Sequence, residues 1–398
     1  MTREDGMDKI KIHLVAAPHM NVKWNDRHMA TCAYSTKIYL ISKILSEMGH
    51  HVVHYGVEGN DVLCSEQVNY ISKDIWDESH GQRSDKDYHD FGDHLLSYQV
   101  GSKSIAEEVN SRLTDPQTEV VLTTFGLWTP NLQNINSNVI EWGIGYDWSW
   151  AKYKVFESYA WQHIQYRGLG ENYDISGTKH FDAVIPGYVD KNQFTYKENK
   201  DNYILFLGRI MNTKGIHIAV ELAKHYKTKL VVAGNGDTDV ITKDASKFIE
   251  YVGVVNNDEK RELYANAKAT MCLTQYVEPF GNVHIESLMS GTPVISTDWG
   301  VYTETVPNGL VGYRGRVWSD YCFAMENITK IDPKVCRKWA ESNFSLEAVY
   351  PKFNTYFNKV ASFNSDSDPF YNVEVPEYSQ RFTDYHLTYL RSQYELTT

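Results

Sequence analysis

The chain has 398 residues, of which 42% are hydrophobic and 23% are charged, with 39 Lys and Arg against 51 Asp and Glu. Its length predicts two or three domains, and its ordinary apolar content argues against disorder. A formal net charge of −12 argues against a nucleic-acid partner bound over a broad basic face. No stretch approaches the roughly 18 uninterrupted apolar residues of a membrane span.

The N-terminus and the cysteines indicate the compartment. Residues 1–11 are charged and lack the apolar core of a signal peptide. The five cysteines are widely spaced, and none forms a pair with metal-ligand spacing. This pattern is typical of a reducing compartment, without disulfides or a structural zinc. We therefore expect a soluble cytoplasmic protein.

The N-terminal half alternates between strand and helix patterns. Residues 36–47 have the apolar spacing of a helix, and the polar stretch 74–93 predicts a long surface loop. Short apolar runs predict strands at residues 10–17, 51–56, 119–123 and 138–142. This alternation favours a parallel sheet with helices on both faces.

The alternation restarts after residues 183–190, where Pro186 and Gly187 predict a hinge. Strands are predicted at 203–207, 229–233, 249–254, 269–273 and 293–296, and helices at 215–225, 258–267 (capped by Asp258), 282–290 and from Ser345 onward. We expect two doubly wound α/β units in tandem with a cleft between them. The N-terminal unit is placed at residues 1–187, the second at 188–350, and a helix and tail packing back towards the first at 351–398.

The segment Glu278–Pro293, EPFGNVHIESLMSGTP, follows a predicted strand and opens a helix. Gly281, Asn282 and Val283 would therefore present unpaired backbone N–H groups at the positive end of that helix. An anion such as a diphosphate binds well in such a place.

Two carboxylates flank this helix start. If all residues between them were helical, Glu278 and Glu286 would lie roughly 12 Å apart. Two carboxylates that act together on one glycosidic bond need about 5 to 10 Å. The spacing favours contacts with two parts of one long ligand, such as the hydroxyls of a sugar and of a ribose. The alternative makes Glu278 a partner of the helix dipole and Glu286 a solvent-facing residue.

A second cluster, LGRIMNTKG, follows the predicted strand at 203–207. Gly208 ends the strand, Arg209 follows it, and Lys214 stands just before the next helix. Two cations beside a glycine at the carboxyl end of a parallel strand can clamp a diphosphate. The alternative is a pair of solvated loop cations. Neither the G-x-G-x-x-G fingerprint nor a P-loop occurs, which argues against a dehydrogenase or an ATPase.

The segments LGRIMNTKG, VVAGNGD, EPFGNVHIESLMSGTPVIST and ETVPNGLVG resemble the nucleotide-binding half of glycosyltransferase family 4. In that family two carboxylates stand eight positions apart, as Glu278 and Glu286 do. The resemblance is specific over residues 202–312 and weaker over residues 9–55. The aromatic-rich N-terminal half is similar to enzymes encoded by large algal viruses. The resemblance implies an α/β GT-B fold, in which two Rossmann-like domains face a cleft, and retaining sugar transfer without a metal or other cofactor.

By motif match, the resemblance also implies a donor site. Arg209 and Lys214 would hold the donor diphosphate and neutralise the charge of the leaving group. Glu286 would accept hydrogen bonds from the ribose, and Glu278 would face the donor sugar. The catalytic set is then Glu278, Arg209 and Lys214. The donor-binding set is Gly208, Arg209, Lys214, Glu278, Phe280, Gly281, Asn282, Val283 and Glu286.

The function that the resemblance implies is transfer of a hexose from a nucleotide-diphosphate sugar to a glycan or glycoprotein acceptor. Because E-P-F-G is frequent among relatives that use GDP-mannose, mannosyl transfer is favoured over the use of UDP-glucose. The expected location is the cytoplasm, that of a host cell if the chain is virus-encoded. A homodimer is left open.

Two positions depart from the family pattern. The family's Gly-Gly pair falls near Cys32 and Ala33. The side chains of these two residues leave less room for a phosphate to approach the backbone. Many relatives place a histidine after a middle strand, yet residues 124–126 and 143–145 contain none. Two alternatives therefore stay open: a non-catalytic carbohydrate-binding protein on the same fold, and a phosphorylase with a pyridoxal Schiff-base lysine.

Overall fold

The computed structural model describes residues 9–24, 32–81, 91–116, 118–147, 149–168, 181–242 and 247–363. The strands are β1 (Lys11–Val15), β2 (His51–Val57), β3 (Glu66–Ile71), β4 (Glu119–Thr123), β5 (Asn138–Ile144), β6 (Tyr153–Phe156), β7 (Ala183–Val184), β8 (Tyr203–Leu207), β9 (Lys229–Ala233), β10 (Ile249–Gly253), β11 (Ala269–Cys272), β12 (Val294–Thr297) and β13 (Gly312–Gly315). The α-helices are α1 (Ala33–Glu47), α2 (Lys73–His80), α3 (Leu96–Asn110), α4 (Tyr159–Gly168), α5 (Ile216–His225), α6 (Asp239–Thr242), α7 (Asn257–Asn266), α8 (Val283–Met289), α9 (Tyr302–Thr305), α10 (Trp318–Asn327), α11 (Pro333–Phe344) and α12 (Leu346–Ala361). None of these helices combines the length and apolar character needed to cross a membrane.

The first sheet has the strand order β3-β2-β1-β4-β5-β6-β7, and all its pairs are parallel. Its central strands are buried on both faces. Among their apolar residues they carry buried polar side chains, which include His13, His54 and Glu141. In the register, Ile12 of β1 pairs with Val52 on one side and Val120 on the other. The chain therefore reverses its winding between β1 and β4, which opens a crevice at the carboxyl ends of these strands.

The second sheet repeats this arrangement in the order β10-β9-β8-β11-β12-β13, again with parallel pairs. Its switch point lies between β8 and β11, so Gly208 and Leu273 follow the two strands on either side of the crevice. The predicted α/β class with two doubly wound parallel sheets is confirmed.

Within the part of the chain that the structure describes, the backbone passes between the two units twice, and the two crossings are neighbours. The Val189 N–H donates to the Phe344 carbonyl at 2.9 Å, and Val189 and Ser345 form a parallel bridge. Tyr188 belongs to the core of the first sheet and Val189 to that of the second. Helix α12 then packs into the first core through Phe353 and its apolar neighbours. The predicted boundary at residue 350 lies inside this helix, and residues 364–398 lie outside the described residues.

Several local predictions differ from the structure. The stretch 74–93, predicted as a loop, begins within helix α2, because the Ser72 side chain caps this helix by accepting from the Ile75 N–H and the helix buries Trp76. Residues 82–90 of that stretch lie outside the described residues. Strand β3 and helix α3 were not predicted. Helix α7 begins at Asn257, and its cap is Asn256, not Asp258, because the Asn256 side chain accepts from the Glu259 N–H.

The packing of α12 gives a stability prediction. Phe353 is 1% exposed, and its ring lies 5.4 Å from those of Tyr188 and Phe357. Phe353→Ala should lower the free energy of unfolding of the N-terminal unit by about 3 to 5 kcal/mol, because it leaves a cavity in a dense core. The half-buried Thr355 on the same helix is the control, and Thr355→Ala should change stability by less than about 0.5 kcal/mol. Urea unfolding followed by circular dichroism measures both, and equal midpoints would contradict the packing of α12.

Candidate active site

A cavity of about 450 Å³ lies between the two units, at the carboxyl ends of β8, β9 and β11. The first unit contributes Ala33, Tyr34, Thr36 and Gly145, and the second unit contributes the rest of the lining. This volume is typical of small-molecule sites, which range over roughly 300 to 1,000 Å³. The position is the one at which open parallel sheets bind ligands.

The cavity brings together residues that are far apart in the sequence. Eight of the nine predicted donor-binding residues line it: Gly208, Arg209, Lys214, Glu278, Gly281, Asn282, Val283 and Glu286. Phe280 is not among the lining residues. Its ring is 1% exposed and packs against His284 and Phe344, with centroids 5.1 and 6.1 Å away.

Lys214 and Glu278 form an ion pair at this cavity. The Thr274 hydroxyl donates to the same Glu278 carboxylate at 3.2 Å, and the Lys214 Nζ lies 4.9 Å from the centroid of the Tyr276 ring. Burial opposes the charge of Lys214, but the nearby Glu278 outweighs it and raises the pKa of the ammonium. Lys214 is therefore cationic. It forms one ion pair with Glu278, although the sequence predicted separate roles for these two residues.

Glu286 is held by two residues of helix α7. The Lys260 Nζ lies 2.9 Å from Glu286 Oε1, and the Tyr264 hydroxyl donates to Oε2 at 2.9 Å. Glu286 is only 6% exposed, so the alternative in which it faces solvent is wrong. Burial raises the pKa of Tyr264, and the nearby Glu286 carboxylate raises it further. The phenol therefore stays protonated and can donate its hydrogen bond.

The start of helix α8 separates the two carboxylates. Because α8 begins at Val283, Glu278 lies outside it, and the spacing of roughly 12 Å expected for a continuous helix does not apply. Asn282 stands at the N-cap position but makes no capping hydrogen bond through its side chain. The first N–H groups of α8 are therefore not satisfied by a capping side chain beside the cavity.

The loop before α8 depends on a glycine and a histidine. Gly281 has φ +69°, and a Cβ there would lie 2.9 Å from Cγ of Glu278. The buried His284 donates from Nδ1 to the Gly281 carbonyl at 2.6 Å. Burial lowers the pKa of His284 to about 4, so the ring is neutral at pH 7 and its proton is on Nδ1.

The same loop contacts the first unit. The Ser158 hydroxyl donates to the Pro279 carbonyl at 2.6 Å. A Cβ on Gly187 would lie 2.4 Å from the Phe280 ring, so only glycine permits this close approach. The Glu304 carboxylate of α9 accepts from two backbone N–H groups at the start of α4. The position of the loop is thus determined by both units.

The structure shows which side chains lie near the two places where the sequence departs from the family's glycine pair and histidine. Helix α1 begins at Ala33, which lines the cavity, and the Cys32 Sγ lies 3.7 Å from His19 Nε2. Phe125 follows β4 with φ +61°, a rare conformation for an aromatic residue. Its ring packs 5.1 Å from that of Tyr34, which lines the cavity.

Sequence reasoning missed Lys260, Tyr264, Tyr276 and Tyr34. Lys260 and Tyr264 lie one turn apart on a helix that was predicted, but this spacing is common on any helix surface. Tyr276 stands two residues before Glu278, and no spacing rule marks it. Only the packing of α7 against α8 identifies the first two as partners of Glu286.

Part of the second unit is similar in sequence to known proteins. Residues 189–318 match the profile of the family described as glycosyl transferases group 1. The chain is 27% identical over 175 residues to an uncharacterized glycosyltransferase of Methanocaldococcus jannaschii, covering 38% of this chain and 45% of that protein. It is 27% identical over 181 residues to the O-antigen chain mannosyltransferase of Salmonella typhimurium, covering 42% and 50%. The matched segments thus span about half the length of these relatives.

The similarity to solved structures extends further along the chain. A glycosyltransferase involved in avilamycin A biosynthesis superposes with a TM-score of 0.63 over 89% of this chain and 99% of that one, at 18% identity. Together with the two parallel sheets and the cavity between them, this similarity shows that the protein has the α/β GT-B fold.

The buried His284 gives a pH prediction. In the unfolded chain His284 has its ordinary pKa of 6.5, whereas in the folded protein the pKa of His284 is about 4. The free energy of unfolding therefore falls by about 1.4 kcal/mol per unit as the pH drops through this window. Between pH 7 and 4.5 the unaltered protein should lose about 2 to 3 kcal/mol more than the variant His284→Gln. Urea unfolding at both pH values measures this, and equal losses would contradict a neutral His284.

Proposed function

We propose that the protein is a retaining glycosyltransferase that transfers a hexose from a nucleoside-diphosphate sugar without a metal ion. The observation that carries the proposal is the arrangement of Arg209, the Lys214–Glu278 pair and Glu286 around one interdomain cavity. The match of residues 189–318 to a glycosyltransferase family supports it.

In this proposal the donor diphosphate lies between Arg209, Lys214 and the start of α8. The Lys214 ammonium has three N–H donors, of which one serves Glu278 and another the Tyr276 hydroxyl, so the third can donate to a diphosphate oxygen. These cations and the helix N–H groups stabilise the negative charge that grows on the diphosphate as it leaves. Glu278, held by Lys214, accepts hydrogen bonds from the donor sugar.

The transfer step requires no base from the protein. The bond between the anomeric carbon and the diphosphate oxygen breaks, and a bond to the acceptor hydroxyl oxygen forms on the same face. The acceptor's proton passes to the departing phosphate oxygen. Phe125 cannot accept a proton at the end of β4, which is consistent with this route.

Mannose from GDP-mannose is the favoured donor sugar, and a glycan or glycoprotein is the proposed acceptor. The E-P-F-G segment and the similarity to a mannosyltransferase support this choice. The second candidate is a non-catalytic protein that binds nucleotide sugars, and it is favoured because residues 124–126 and 143–145 contain no histidine and Cys32 and Ala33 stand near the place of the glycine pair. The cytoplasmic location, that of a host cell if the chain is virus-encoded, stays a prediction from the sequence.

Nucleotide binding tests the donor site. Arg209→Ala should raise the Kd for GDP and UDP at least about tenfold, because it removes a charge-assisted contact with the diphosphate. Arg316, which pairs with Asp298 outside the cavity, offers a matched control, and Arg316→Ala should leave both Kd values unchanged. Isothermal titration calorimetry gives these constants. Unchanged affinity in Arg209→Ala would rule out the proposed diphosphate position.

Donor turnover tests the reaction class. The protein should release GDP from GDP-mannose faster than UDP from UDP-glucose, and at the same rate with EDTA as with Mg²⁺, since its cations replace the metal. Coupled nucleotide-release assays measure both rates. Binding of both donors without release or transfer to any glycan would favour the non-catalytic candidate, and a faster rate with UDP-glucose would overturn the choice of mannose.

A further inference from the structure

We infer that Lys260 and Tyr264 are positioning residues, which hold the Glu286 carboxylate for the 2′ and 3′ hydroxyls of the donor's ribose. This inference rests on the proposed function and deepens it. It assigns to helix α7 the part of donor recognition that distinguishes a ribonucleotide from a deoxynucleotide.

The contacts fix the Glu286 carboxylate at both oxygens. Oε1 is held by the Lys260 ammonium and Oε2 by the Tyr264 hydroxyl, each at 2.9 Å. Tyr264 is fully buried, and only 13% of the Lys260 side chain is exposed. A carboxylate held at both oxygens cannot rotate without breaking a buried hydrogen bond, so its orientation is set before any ligand arrives.

The Glu286 carboxylate can still accept hydrogen bonds from a ligand. A carboxylate accepts about four hydrogen bonds, and these two contacts use one site on each oxygen. A vicinal diol offers two O–H donors at neighbouring carbons, which matches the two oxygens that remain available. Glu286 and Lys260 both line the cavity, so such a diol can reach them.

The charge of Lys260 matters for the diphosphate as well. A buried carboxylate without a cation is costly and would repel an approaching anion. Lys260 balances the charge of Glu286, as Lys214 balances that of Glu278. Glu286 therefore offers acceptors to the ribose without a net negative charge beside the diphosphate.

Helix α7 is anchored independently of the ligand. Asn256 and Glu259 form a capping box at its start, in which the Asn256 side chain and the Glu259 N–H lie 2.9 Å apart. The Asn257 amide then donates to the Trp24 carbonyl of the first unit at 2.6 Å. These contacts hold the helix that carries both positioning residues.

The experiment compares each nucleotide with its 2′,3′-dideoxy analogue, for whichever of GDP and UDP binds the unaltered protein more tightly. Tyr264→Phe should raise the Kd of the ribonucleotide about tenfold, and that of the dideoxynucleotide less than about twofold. Lys260→Met should raise both Kd values, that of the ribonucleotide by the larger factor, because it also leaves the charge of Glu286 unpaired near the diphosphate. Lys260→Arg should restore most of the affinity, because it keeps the ion pair. Lys224→Met, on α5 and outside the cavity, is the matched control and should change neither Kd.

The analogue separates positioning from other roles. Equal weakening of both nucleotides would overturn the inference, since it would place Lys260 on the diphosphate or indicate a general structural loss. Unchanged ribonucleotide binding in both variants would overturn it as well, while leaving the proposed function standing. If the unaltered protein binds neither GDP nor UDP, the proposed function fails and the inference fails with it.

Discussion

The architecture of the cavity depends on pairing each acidic side chain with a cation. Glu278 is paired with Lys214 and Glu286 with Lys260, both in surroundings where an isolated charge would be costly. Each pair joins residues from different elements of the second unit. The helices and loops that carry these side chains must therefore keep their relative positions, and the ion pairs link the fold to the chemistry of the cavity.

The loop at residues 278–281 is the second constraint. It carries Glu278 to the cavity, yet its neighbours Pro279 and Phe280 contact Ser158 and Gly187 of the first unit. A change in the relative position of the two units would therefore act directly on the carboxylate that is proposed to face the donor sugar. The position of Glu278 in the cavity therefore depends on contacts with both units.

The first unit contributes one aromatic ring, two small residues and a threonine to the cavity, and none of them is charged. Tyr34 lines the cavity and packs against Phe125, whose left-handed backbone would be strained for most side chains. The Phe125 ring supports Tyr34 from behind the cavity lining and cannot transfer a proton. This is consistent with a reaction in which the leaving phosphate accepts the acceptor's proton, and equally with a site that only binds.

The sequence by itself determined the two parallel sheets, because short apolar runs separated by helical spacings leave few other folds. It also determined which two segments meet, since residues at the carboxyl ends of β8 and β11 share one edge of a sheet. Tertiary structure alone decided the partners: Lys260 and Tyr264 come to Glu286 only when α7 packs on α8, and Lys214 reaches Glu278 only when the sheet is formed. Side-chain contacts between distant segments depend on packing, and no local pattern encodes them.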